Sequence, residues 1–293
     1  MKARAIVIGN FLLFWLFIGS LHGKVLIATH VFNETDFIYW QYKTVKTFVK
    51  DDYEYVVFND ARDQTFYFQI HEICRQLNIH CIDVPQTIHK SHDPSKACAD
   101  TLQYILNSTG FDFPGIVMMI DPDMFLIQDL SIEKMLNGYD LAANPQYRTG
   151  NHGIIEYFFP NLIILNMKTL PDKHALNFDL GEIDGVRVDT GGFTHYFLKN
   201  HPNLKWIVFN CLDLYNICQN DYELIDNHFV EFFLTHPKLF QQTKEPQYGY
   251  NFVMNFSILH FRAGSNWWHM NETTVEDKKR ILFDVLEEAL SAH

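Results

Sequence analysis

The run Gly115-Ile116-Val117-Met118-Met119-Ile120-Asp121-Pro122-Asp123 constrains the fold more than any other stretch of the chain. Five apolar residues between Gly115 and Asp121, β-branched at Ile116, Val117 and Ile120, read as a strand buried on both faces. The strand ends abruptly in two carboxylates one residue apart. In α/β sheets ligands gather outside the carboxyl ends of the strands, which is where Asp121 and Asp123 stand. Two hard oxygen donors there suit a divalent cation held against a phosphate. The same residues also make an ordinary solvated Asp-Pro turn, and nine residues alone leave both readings open.

The flanking sequence places that strand in a repeating pattern. Residues 24–31, 53–59 and 80–84 read as strands, and residues 37–49, 64–76 and 95–106 as helices, with Ser95 a candidate cap. Residues 89–94 form a polar loop. Strands alternating with helices at this spacing predict βαβ units, an α/β fold with a mostly parallel central sheet. Downstream, helices are expected over 131–137 and 193–199, and strands over 140–144, 161–166, 206–209 and 256–261. A closing helix starts at Thr273-Thr274-Val275-Glu276, which has the form of a capping box. No proline- or serine-rich break divides the body, so one domain is expected from residue 24 to 293.

The first 23 residues stand apart. Lys2 and Arg4 precede an apolar run over residues 5–18, interrupted only by Gly9 and Asn10 and followed by small or polar residues. This is the layout of a signal peptide, or of a short signal-anchor giving membrane association through residues 5–18. It implies a secretory address, in the ER or Golgi lumen or outside the cell. Asn-x-Ser/Thr sequons at Asn33, Asn107, Asn255 and Asn271 are compatible with that address and with a glycoprotein. Five cysteines without a CxxC pair exclude zinc-finger spacing. A formal charge of −12 argues against nucleic acid as a partner, because a phosphate backbone demands a basic face.

Three further groups of residues carry chemistry. His260 closes an expected strand and is followed by Arg262, Gly264 and the pair Trp267-Trp268. It reads as an imidazole ligand beside a mobile lid, or as a structural histidine beside packing tryptophans. Asp189-Thr190-Gly191-Gly192 precedes a helix; Asp189 or Thr190 reads as a cap, or the glycines as a close approach for an anionic ligand. Asn59 and Asp60 end the second strand, and Ala28 and Thr29 end the first, so all four face the same crevice. Lys96 reads as a nucleotide contact or as a solvated helix lysine.

Taken together these residues resemble the GT-A glycosyltransferases, a Rossmann-like fold that binds nucleotide-diphosphate sugars through a DxD motif and a divalent metal. Among them the pattern is most similar to the family 8 enzymes. In that family a DxD after an apolar strand is followed by a strand resembling F-N-S-G-V-L-L-I-N and a C-terminal H-F-x-G-x-x-K-P-W. This chain has Asp121-Pro122-Asp123, then Phe158-Phe159-Pro160-Asn161-Leu162-Ile163-Ile164-Leu165-Asn166, then His260-Phe261-Arg262-Ala263-Gly264-Ser265-Asn266-Trp267. It departs in having Asn161 for the glycine of the middle motif and in lacking the lysine that contacts the diphosphate, for which Arg262 is a substitute.

The resemblance implies a hexosyltransferase-like enzyme moving a sugar from a nucleotide-diphosphate sugar to a glycan, protein or lipid acceptor. Asp121, Asp123 and His260 would hold Mn²⁺ or Mg²⁺, and the ion would neutralise the departing diphosphate. The nucleotide sugar would lie along Ala28, Thr29, Asn59, Asp60, Lys96, Asp121, Gly191, Gly192, Arg262 and Gly264. Asp189 would contact sugar or acceptor and serve as general base in an inverting enzyme, with Glu182 and Asp226 in reserve. Two other readings stay open: a sugar-nucleotide nucleotidyltransferase, and a secreted carbohydrate-binding protein without turnover.

Overall fold

Strict alternation along the first strand builds the sheet. Every residue of β1 (Val25–Val31) is buried, with Val25, Ile27 and Val31 packed on one face and Leu26 and Ala28 on the other. A strand buried on both faces requires cover above and below it. The computed structural model describes residues 24–89, 91, 93–213, 251–255, 257–261 and 272–293. Over these residues β1 is followed by α1 (Thr35–Phe48), β2 (Tyr53–Asn59), α2 (Gln64–Leu77), β3 (His80–Asp83), α3 (Pro94–Ile105) and β4 (Ile116–Ile120). Then come β5 (Met124–Leu126), α4 (Ile132–Met135), β6 (Leu141–Thr149), β7 (Ile154–Asn166), β8 (Gly181–Ile183), β9 (Val186–Val188) and α5 (Thr194–Asn200). The order closes with β10 (Trp206–Val208), β11 (Cys211–Asp213), β12 (Asn251–Met254), β13 (Ile258–Phe261) and α6 (Glu272–Ser291).

The seven-stranded central sheet has the order β10-β6-β7-β4-β1-β2-β3. Neighbours from β4 through β3 are parallel, as are β10 and β6, and β7 runs antiparallel between β4 and β6. The chain thus forms the expected α/β fold with a mostly parallel sheet. β1 has β2 on one side and β4 on the other, so the connections leave in opposite directions and open a crevice at the carboxyl ends of β1 and β4. A second sheet, β11-β12-β13-β5, is antiparallel. Its edge strand β5 follows Asp123 directly and pairs with β13, placing His260 opposite Met124.

Local chemistry shifts several expected boundaries. α3 starts one residue early because Asp93, not Ser95, is the cap: its carboxylate accepts from Ser95 N at 2.9 Å, and Pro94 occupies the first helical position, where its missing N–H costs nothing. α6 begins at Glu272, which leaves Thr273 to Glu276 inside the helix. β7 is 13 residues long, since its first half pairs with β6 rather than β4. Asn255 sits at a positive φ in the turn between β12 and β13. Among the described residues no helix is long and apolar enough to cross a membrane, and the targeting segment 1–23 lies outside them. Cys74, Cys81, Cys98 and Cys211 are free thiols.

Candidate functional site

The acidic pair is held by a turn and by a buried amide. After β4 the chain reverses, and Met124 N donates to Asp121 O at 3.2 Å. Gln41 on α1 grips this turn from below: its Nε2 donates to Asp121 O at 2.8 Å and to Met124 O at 2.7 Å. Its Oε1 accepts from the Tyr55 hydroxyl at 2.7 Å. Gln41 therefore sits in the apolar stripe of α1 (Phe37, Ile38, Thr44, Val45 and Phe48 are its buried companions) with its polar capacity satisfied.

Strand pairing supplies the third group. Phe261 N donates to Asp123 O at 2.8 Å, which fixes His260 beside the pair with its Nε2 3.5 Å from Asp123 Oδ1. One ligand atom from each of Asp121, Asp123 and His260 lies within 4.8 Å of the others. Two carboxylate oxygens and one imidazole nitrogen at that spacing fit a single divalent cation. Burial, reinforced by the charge of Asp123, pushes the Asp121 carboxyl well above the usual carboxylate range. Two carboxylates so placed resist ionising together until a cation joins them.

Asn161 and Lys278 complete the surroundings. Asn161 Oδ1 accepts from Leu162 N at 2.9 Å, so its amide nitrogen faces His260 Nδ1 at 3.3 Å. The position that departs from the family 8 pattern is therefore the one that orients the histidine. Lys278 of α6 is buried, with its ammonium 4.9 Å from the centroid of the Phe261 ring. Burial pulls its pKa down to about 8 against the opposing pull of Asp123.

A cleft of about 510 Å³ opens over Asp121 and Pro122. His30, near the end of β1, and Phe32 and Asn33 beyond it form one wall with Asp60, Arg62, Asp63 and Phe66. The first turns of α3, with Ser95, Ala97 and Cys98, together with Phe159, Pro160, Asp189 and Thr190, form the other. Arg62 is the single lysine or arginine among the described residues lining it. His30 Nε2 lies 3.9 Å from Cys98 Sγ. Burial lowers the His30 pKa, outweighing the raising influence of Asp60 and Asp123, so the imidazole is held neutral.

The expected nucleotide contacts separate into two groups. Asp60 and Asp121 line the cleft, as does Asp189, the expected base. Ala28, Thr29 and Asn59 are buried and do not line it, and Asn59 instead donates to Tyr67 O and accepts from Ala61 N. Asp60 is already oriented, accepting from Thr101 Oγ1 at 2.8 Å and meeting His89 Nε2 at 2.6 Å. Lys96 turns away to Asp100 and Asp179, at 2.6 and 3.0 Å. Gly191 and Gly192 face protein: a Cβ at Gly191 would meet Phe158 O at 2.3 Å, and one at Gly192 would meet Val188 Cγ2 at 2.2 Å. Neither Asp189 nor Thr190 caps α5, whose N-cap position is Phe193. Glu182 is exposed on β8, away from this cleft. Asp226, Arg262, Gly264, Trp267 and Trp268 lie outside the described residues.

Gln41, Phe32, Arg62 and Phe66 escaped the sequence reading. Gln41 had a signal, a polar residue at a core-facing position of an apolar stripe. Phe66 had none, because an aromatic one turn into a helix reads as core, yet it is exposed at the cleft rim.

No protein-family model and no curated protein matches the chain. Among solved structures, the apo structure of the bifunctional glycosyltransferase WbbM aligns with a TM-score of 0.41 at 11% identity. The alignment covers 77% of this chain and 44% of that one, so this chain spans less than half the length of that protein.

Proposed function

We propose that this chain is a divalent-metal-dependent glycosyltransferase of the GT-A type, with residues 24–293 as its catalytic unit in a secretory compartment. The observation that carries the reading is the convergence of Asp121, Asp123 and His260, with Asp121 lining a cleft at the sheet's switch point and the other two buried beside it. Asp121, Asp123 and His260 would hold Mn²⁺ or Mg²⁺. When bound, the ion supplies Lewis-acid stabilisation of a nucleoside-diphosphate leaving group.

The chain's own groups fill the other roles. Phe32 and Phe66 offer apolar faces to a nucleobase, and Arg62 offers a guanidinium to a phosphate. Asp60, fixed by His89 and Thr101, offers an oriented acceptor for a ribose hydroxyl. Asp189 lies on the opposite wall, exposed, with Oδ1 accepting from Thr190 N at 2.8 Å. In an inverting transfer Asp189 would take the proton from the acceptor hydroxyl.

The reading is tested by donor hydrolysis across UDP-, GDP- and other nucleotide sugars with Mn²⁺, Mg²⁺ or chelator. We expect turnover that chelation abolishes; no turnover and no binding with any metal would end it. Asp123→Ala and His260→Ala should each lose Mn²⁺ binding by calorimetry, and unchanged affinity in both would remove them as ligands. Asp189→Asn should bind donor normally and fail to transfer; transfer at the unaltered rate would remove the base role.

A further inference from the structure

A second cleft, of about 740 Å³, lies between the β6–β7 turn, the β8–β9 hairpin and α5. It is built rather than incidental. The β8–β9 turn is Asp184-Gly185, both at positive φ, the geometry of a tight two-residue hairpin. The Asp184 carboxylate crosses to the β6–β7 turn, accepting from His152 N at 2.6 Å and pairing with the His152 ring. Asn151 N also donates to Asp184 O at 3.2 Å. Beneath the two fastened tips Ile155, Tyr157, Ile183 and Val188 form an apolar cluster of their own.

The remaining wall is α5. His195 Nδ1 lies 3.0 Å from Glu156 O, and a carbonyl only accepts, so Nδ1 carries the proton. Nε2 of the neutral ring is then a hydrogen-bond acceptor. Tyr196 stays 48% exposed while its ring meets Phe193 and His195 edge-on. Lys199 adds a cationic donor, and Ile154, 62% exposed, lies across the cleft.

We propose that this second cleft is a saccharide-binding subsite for the glycan acceptor, with Tyr196 as its aromatic platform and His195 and Lys199 as its polar contacts. The proposal rests on the transferase reading. A sugar presents hydroxyls around its edge and C–H groups on its faces, which matches an open cleft with one exposed ring, one acceptor nitrogen and one ammonium. A peptide adding as a strand is the poorer match. Glu156 O and Phe158 N, the outward groups of β7, already bond to His195 and to Thr194 Oγ1. β7 also links the two clefts: Glu156 lines this one and Pro160 the donor cleft, ~13 Å apart at ~3.3 Å per residue. An acceptor of several sugars can occupy this subsite while its terminal unit reaches Asp189.

The test uses the full chain on an array of short neutral and acidic oligosaccharides, beside an array of unglycosylated peptides. UDP and GDP binding with Mn²⁺ is measured in parallel. We expect glycan retention that Tyr196→Ala and Lys199→Ala each weaken at least about tenfold, with nucleotide binding and thermal stability unchanged. Tyr196→Phe should restore binding, since the ring remains. Nucleotide binding without glycan retention, glycan retention indifferent to both substitutions, or retention of peptides alone would overturn the subsite. Tyr196-dependent glycan binding with no nucleotide bound would keep the subsite and overturn the transferase reading.

Discussion

Asn161 decides which nitrogen of His260 carries a proton. Its NH₂ group faces Nδ1, so Nδ1 accepts and the ring proton sits on Nε2, on the side of Asp123. A metal at Nε2 needs the other tautomer, which histidine ligands secure by donating their far nitrogen to an acceptor. Asn161→Asp offers that acceptor while keeping the bond to Leu162 N, and should raise Mn²⁺ affinity roughly tenfold by calorimetry. Equal or weaker affinity would show that His260 does not bind through Nε2. Two glycines make a second test. Gly138 and Gly191 have nearly the same φ, +83° and +85°, but only Gly191 has a carbonyl in the space of its missing Cβ. Gly138→Ala should cost about 1 kcal/mol of backbone strain in urea unfolding, and Gly191→Ala distinctly more. The sequence offered Gly191 as a ligand contact because a glycine before a helix looks the same whether a phosphate or a neighbouring strand comes close.

At the scale of elements, α1 does more than cover the sheet. Gln41 ties the turn between Asp121 and Met124 to α1, and through Tyr55 to β2. Gln41→Leu takes the side-chain donor from buried Met124 O, at a cost of about 1–3 kcal/mol, and leaves Asp121 O with Met124 N alone. We expect a stability loss above about 2 kcal/mol together with weaker Mn²⁺ binding. Tyr55→Phe should cost less and leave the metal site intact; if Gln41→Leu loses stability while Mn²⁺ affinity holds, the clamp does not position the carboxylates. Elements with their own periodicity were legible: β2 was readable to the residue, and β1 and β4 to within one, because their apolar runs decide burial without help. β5, β8 and β9, three residues each, were not. A three-residue strand exists only because a partner lies beside it, and nothing in its own sequence says which. The DxD motif and His260 could be paired in advance only through a resemblance, whereas their contact comes from the β5–β13 ladder.

For the whole molecule, acid stability follows from one buried and one half-buried histidine whose pKa values are lowered. Burial lowers the pKa of His30 and of His80 below the ordinary value of 6.5. Below that pH the unfolded chain takes up protons that the folded chain refuses, so stability falls as pH drops through 6.5. His30→Gln should flatten that part of the melting-temperature profile; an unchanged slope would mean that His30 does not contribute. The cleft itself was the least legible feature, since its walls come from the ends of β1 and β2, α3, β7 and the link into α5. The β5–β13 pairing has a last consequence, for the order of assembly. The carboxylates lie beside β5, but His260 comes from a strand far along the chain, so the three groups meet only when the ladder closes. Before that the cluster lacks its imidazole, and tight capture of a cation by all three groups would report that the two strands have paired.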